Sequence, residues 1–271
     1  MIQYLKRRKR ASLRAAPVPP EWRAIIERNV PLFSRLPPHD QDELLGHVQV
    51  LVAEKHWEGC GGLELNDEIV VTIAAQASML LLHRESDYYP RVTSILVYPS
   101  TYVAEGERNV GGGIWEEGEE VRLGHTHERM GVIVLAWDAA LHGSRTYDDG
   151  MNVVLHEFAH QLDFENASTD GTPLLDTRQK YVSWGKVLGE EFEKLRRLDA
   201  AGIRSFIDSY GATNPAEFFA VITEFFFERP VELRARHPQL YDELKSFYRQ
   251  DPAAFALSSQ EGELPRVREE S

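Results

Sequence analysis

Residues 151–163, MNVVLHEFAHQLD, decide how the chain is read. They hold His156, Glu157 and His160 in an H-E-x-x-H pattern. Positions four apart on a helix lie one turn above each other on the same face, so the two imidazoles can present nitrogens to one metal ion. Glu157 lies about 100° round the helix from His156, within reach of a water on that metal. Val153, Val154, Phe158, Ala159 and Leu162 are apolar and no Pro or Gly interrupts, so the stretch predicts a helix facing a core. Two histidines and a glutamate are costly on such a helix unless something compensates them. Against this stands the plainer reading that an H-E-x-x-H pentapeptide arises by accident in a long chain.

The rest of the chain supports a globular protein. Its 271 residues are 42% hydrophobic and 10% aromatic, enough for a sizeable core. A formal charge of −13 argues against general nucleic-acid binding. Cys60 is the single cysteine, so no internal disulfide forms, which fits a reducing compartment. No stretch approaches the ~18 apolar residues of a membrane span. The basic start lacks the apolar segment of a secretory signal, so residues 1–20 are expected to be a flexible basic tail.

Residues 21–29 predict a short helix. Pro37 and Pro38 break the chain before Asp40 and Glu43, whose spacing resembles a capping box opening a helix to about Lys55. Residues 66–83 predict another helix. Residues 94–98 and 131–137 are β-rich runs, the second expected to be an edge strand that could align an extended peptide. Gly111, Gly112 and Gly113 mark a loop, and Glu116, Glu117, Glu119 and Glu120 a solvated acidic surface. Helices are expected over 181–198, 216–227 and 238–248, with Asn214 and Pro215 starting the second and Pro230 ending it. Residues 251–271 are expected to be disordered. The fold class is therefore α+β, one domain over 21–250, with a helical part at about 21–90 and a catalytic part at about 91–250.

A catalytic zinc takes three protein ligands and leaves one position open. Asp163 and Asn166 stand where an extended H-E-x-x-H-x-x-G-x-x-H motif needs Gly and His, so the third ligand lies elsewhere. His125, His127 and His142 are upstream and read better as exposed or core residues. Asp163 and Asp176 are carboxylate alternatives. Glu217 is the better candidate, because it sits among Phe218, Phe219 and Val221 where an uncompensated carboxylate is costly. A glutamate is also favoured in a first helical turn by the helix dipole alone. Glu224, seven residues on, shares its face and could orient a ligand histidine, as could Asp163.

HEFAHQLD at 156–163 and YGATNPAEFFAVITEFFF at 210–227 resemble the MtfA family, the Mlc titration factor A peptidases. VYPS at 97–100, VIVLAWD at 132–138 and DDGMNVVLHE at 148–157 fit the same family, so the resemblance spans about residues 20–250. It implies a zincin-like metallopeptidase domain, similar in its catalytic part to the anthrax lethal factor protease. It implies a single Zn2+ per chain on His156, His160 and Glu217, with Glu157 as the catalytic acid/base and Tyr210 as the active-site tyrosine. It further implies aminopeptidase-like hydrolysis of short peptides in the cytoplasm. Family members are also linked to sequestering the glucose repressor Mlc, which affects sugar phosphotransferase genes. A non-catalytic binding protein is therefore the alternative.

Overall fold

The computed structural model describes residues 2–100, 124–127 and 131–254. The expected acidic surface at 116–120, the glycine loop at 111–113 and residues 255–271 of the expected disordered tail lie outside the described residues; residues 251–254 of that tail are instead ordered, with Asp251 accepting the Tyr241 hydroxyl at 2.6 Å and Ala253 fully buried.

Residues 1–20 differ from the expected flexible tail, because Ile2–Ala15 form helix α1. Leu, Lys, Arg and Ala dominate this segment and all favour helix. Arg10 is only 6% exposed. Its guanidinium grips Glu54 through bonds of 2.7 and 3.0 Å and also bonds Asp87. Leu13 packs against the core. Gly46 lets α1 come close, since a Cβ there would stand 3.3 Å from the Arg14 side chain.

Helices α2 (Pro20–Asn29), α3 (Pro31–Arg35) and α4 (Pro38–Glu54) follow, each opening on a proline whose missing N–H costs nothing in a first turn. The capping box expected from Asp40 and Glu43 does not form; Pro37 occupies the cap position without a side-chain bond. Both carboxylates turn instead toward His83. Helix α5 (Asp67–Met79) is capped by Asn66, which accepts the Ile69 N–H at 3.0 Å. It ends four residues short of the expected 83, in a turn where His83 has φ +61°. Helices α1, α4, α5 and α2 pack together as an N-terminal helical layer.

The sheet has the order β1-β2-β4-β3, with β1 (His56–Gly59), β2 (Ser94–Tyr98) and β4 (Val132–Ala136) parallel and β3 (Gly124–His127) antiparallel to β4. Ile95 pairs with Ile133 and Val97 with Leu135, and these four side chains fill one face of the sheet. Alternation inside and outside is what a half-buried strand requires. Strand β4 lies between β2 and β3, so it is an interior strand and not the edge expected for aligning a peptide. Strand β1, HWEG, carries no apolar run and left no signal of its own.

Helix α6 (Trp137–Arg145) leaves β4 directly, and α7 (Val153–Asp163) follows after a turn. Helix α7 packs against α5, against strands β3 and β4, and against the later helix α9 (Pro215–Glu228). Phe158 of α7 is fully buried with its ring 4.7 Å from that of Tyr89, edge to face. Burying such a side chain contributes about 1.5–3 kcal/mol. Helix α8 (Arg178–Ala200), a 3-10 turn at Ser209–Ala212, α10 (Pro230–Arg236) and α11 (Pro238–Tyr248) complete the fold around α9. Trp184 and Phe247 pack on Phe219 of α9 at 5.7 and 5.8 Å. The result is an α+β, mostly helical architecture with one small sheet. No helix among the described residues is long and apolar enough to cross a membrane.

Candidate metal centre

Helix α7 starts where Asn152 accepts the N–H groups of Val154 and Leu155 at 3.1 and 3.0 Å. This satisfies donors that the first turn leaves without partners. Gly150, just before, has φ +82°, and a Cβ there would meet the Phe225 ring at 2.9 Å. Only glycine fits both the conformation and the contact. Helix α9 starts in the same manner, with Asn214 accepting the Glu217 N–H at 2.9 Å and Pro215 in first position.

These two starts bring three side chains together. Nε2 of His156 lies 3.2 Å from Nε2 of His160, and Oε2 of Glu217 lies 3.0 and 3.3 Å from those two nitrogens. Four tetrahedral ligands with bonds of about 2.0–2.1 Å stand about 3.3 Å apart, so the trio fits the ligand spacing of a zinc ion. The three groups are mostly buried, with 9–18% of each side chain exposed.

A stripe of carboxylates on α9 holds the other side of α7. Glu217, Glu224 and Glu228 are spaced by seven and four residues, which keeps them on one helix face. Oε1 of Glu224 lies 2.7 Å from Nδ1 of His156, and its Oε2 accepts the Asn152 N–H. Oε2 of Glu228 accepts the N–H groups of Gly150 and Met151, both at 3.0 Å. Asn152 and Glu228 were not singled out in the sequence. The seven-and-four spacing of acidic residues in a phenylalanine-rich helix is the signal that finds Glu228.

The electrostatics favour positive charge at this point. Burial disfavours a charged His156, yet the charge of Glu224 and the hydrogen bonds to Glu217 and Glu224 override it and raise the imidazole to about 10. Glu217 resists burial in the same way, held far below the usual carboxylate range by the two histidines. Glu224 is pushed up by burial against the pull of His156 and the Asn152 amide. Two imidazole nitrogens and a carboxylate oxygen facing one point are donors that suit a divalent cation.

Glu157, next to His156 on α7, is 4% exposed. Tyr210, in the 3-10 turn, stacks on His156 with ring centroids 5.8 Å apart and planes 29° from parallel. The alternative ligands fall elsewhere. Asp163 is fully buried and accepts the Gly171 N–H at 2.8 Å, with burial pushing it up to about 6. Asp176 is exposed and pairs with Lys180 at 2.9 Å. His142 is exposed on α6. His125 and His127 lie on β3, and their side chains fall outside the described residues.

Two converging helix starts, a pair of histidines one turn apart and a carboxylate facing them make a candidate metal centre in an α+β fold. The chain belongs to the glucose-regulated metallo-peptidase M90 family, whose sequence model matches residues 4–249. It is 39% identical over 236 residues to the uncharacterized protein slr2042 of Synechocystis sp., covering 87% of this chain and 86% of that protein. It is 30% identical over 238 residues to Mlc titration factor A of Yersinia pestis, covering 86% of each. Membership in a metallopeptidase family implies a metal.

Proposed function

We propose that the chain is a zinc-dependent peptidase with a zincin-like domain over residues 21–250, acting in the cytoplasm as an aminopeptidase on short peptides. The convergence of His156, His160 and Glu217 within 3.3 Å carries this reading. These three residues would hold one zinc ion per chain, and helix α1 packs on the domain they belong to. Zinc bound there supplies Lewis acidity, which acidifies water and polarises a peptide carbonyl.

The chain's own residues then divide the work. Glu157 takes the proton of the attacking water and returns it to the leaving amine. The Tyr210 hydroxyl donates to the oxyanion that develops on the carbonyl carbon's oxygen. Glu224 fixes the ring of His156 through its Nδ1, so that Nε2 stays turned toward Glu217. The flat contact of Tyr210 with His156 keeps the tyrosine next to the same side of the site.

The test is hydrolysis of short peptides and of aminoacyl anilides, before and after removal of metal by a chelator. Activity that disappears with the metal and returns with Zn2+ supports the reading. Activity that persists in the stripped protein contradicts it. A second reading rests on the name of the Yersinia relative, Mlc titration factor A: this chain would bind a repressor of the Mlc type without cleaving it. Binding of such a repressor to Glu157→Gln separates the two, because that variant keeps its surface while losing its base.

A further inference from the structure

A second group of metal-ligating side chains lies far along the chain from α7 and α9. Asp40 and Glu43 in the first turns of α4 face His83 in the turn after α5, and one ligand atom from each lies within 4.8 Å of the others. Oδ1 of Asp40 is 3.1 Å from Nε2 of His83 and 2.9 Å from Nε2 of His39. Oε2 of Glu43 is 3.3 Å from Nδ1 of His83. The other Glu43 oxygen is occupied, accepting the His83 N–H at 3.0 Å and facing His47 at 3.3 Å.

Asp40 is the informative residue. Its side chain is 2% exposed, and Oδ1 has no hydrogen-bond partner even though two imidazole nitrogens lie within 3.1 Å of it. A buried carboxylate oxygen left in that state is costly. Asp40 approaches His83 at Nε2 and Glu43 approaches it at Nδ1, so an ion here takes one ring nitrogen, together with one oxygen of each carboxylate lying within 4.8 Å of it.

The backbone invests in the same place. His83 is held at φ +61°, a left-handed conformation that non-glycine residues seldom adopt. Its amide is aimed at Glu43, and the neighbouring His47 is anchored by its Nδ1 to the Tyr88 hydroxyl at 2.7 Å. We propose that Asp40, Glu43 and His83, with His39 at the rim, form a second, structural site for a divalent transition-metal ion that pins the start of α4 to the end of α5. Mixed imidazole and carboxylate donors suit zinc, cobalt or nickel. This site is independent of any hydrolytic role of His156, His160 and Glu217.

The probe is Zn2+ alone, added to the full chain after chelator stripping, followed by desalting and elemental analysis. The His156→Ala/His160→Ala double variant removes the first site without touching the second. It is expected to keep one zinc per chain and to unfold several degrees higher with zinc than without, since a ligand of the native state stabilises it by mass action. Adding either His83→Ala or Glu43→Gln is expected to abolish both the bound zinc and the shift. Two variants are used so that loss of folding in one leaves the other to decide. A folded double variant that binds no zinc would overturn the proposal, and so would zinc that survives in a folded His83→Ala or Glu43→Gln protein. In that event Asp40 and His83 are an ordinary ion pair.

Discussion

Oε1 of Glu224 stands 2.7 Å from Nδ1 of His156, while the other oxygen of the same carboxylate receives the N–H of Asn152. One side chain on α9 thus holds both the His156 ring and the starting point of its helix. Such partners typically change metal affinity 10–100-fold when removed. Glu224→Gln is therefore expected to weaken zinc binding roughly 10–100-fold, read by competition with a chromogenic chelator. Unchanged affinity would mean that His156 needs no such partner. His160 offers an internal contrast, because its Nδ1 is buried with no hydrogen-bond partner.

Glu157→Gln removes the carboxylate proposed to accept the proton while preserving size. Peptide hydrolysis is expected to fall by roughly 10²–10⁴-fold, the usual range for a positioned acid/base. Zinc content should stay at the wild-type value. Steady-state rates together with elemental analysis check both parts, and near-normal turnover would remove Glu157 from the mechanism.

Gly150→Ala tests the tight turn before α7. The φ of +82° and a Cβ 2.9 Å from the Phe225 ring both oppose the substitution. A loss of about 1–3 kcal/mol is expected in denaturant unfolding, with the Phe225 ring forced to move. A neutral result would show that the turn relaxes freely.

Helix α1 makes a graded prediction. Arg10 is nearly buried between Glu54 and Asp87, whereas the Lys6–Asp87 pair is 41% and 56% exposed. Arg10→Ala is expected to cost about 2 kcal/mol, in the range of hydrogen bonds to charged groups. Lys6→Ala is expected to cost under about 1 kcal/mol. Equal effects in chemical denaturation would contradict the packing of α1 on α4.

Glu228 supplies a pH dependence. Burial raises its carboxyl to about 9, and the neighbouring Glu224 and Asp149 charges push the same way against the Asn152 and Gly150 hydrogen bonds. The folded state therefore holds a proton that the unfolded chain releases near the ordinary carboxylate value. Stability from this group is complete below that value and declines as pH rises toward 9. Glu228→Gln, which stays neutral, should show a flatter fall in melting temperature between pH 5 and 9. Parallel slopes would show Glu228 ionised in the native protein.

Much of the fold was legible in the sequence because local signals were strong. Asn214 and Pro215 announced α9, the periodicity of Val153–Leu162 announced α7, and the run Ser94–Tyr98 announced β2. The misreadings share one cause, which is that long-range partners decided them. Arg10 looked like tail until Glu54, 44 residues away, received it. Asp40 and Glu43 had the spacing of a cap but face His83. Strand β1 has no apolar pattern and exists through its parallel pairing with β2. Residues 132–136 read as a strand, but only the pairing with β3 moves them from edge to interior. In the site, the helix starts were visible in sequence, whereas the clamp of Glu228 on Gly150 and Met151 depends on how α9 crosses α7.

The most direct measurement is the zinc content of wild type and Glu217→Ala, purified in parallel, stripped and reloaded with Zn2+, with circular dichroism to verify the fold. Glu217→Ala is expected to hold one zinc per chain less than wild type while keeping the native helical spectrum. Equal zinc in the two folded proteins would contradict a centre built from His156, His160 and Glu217.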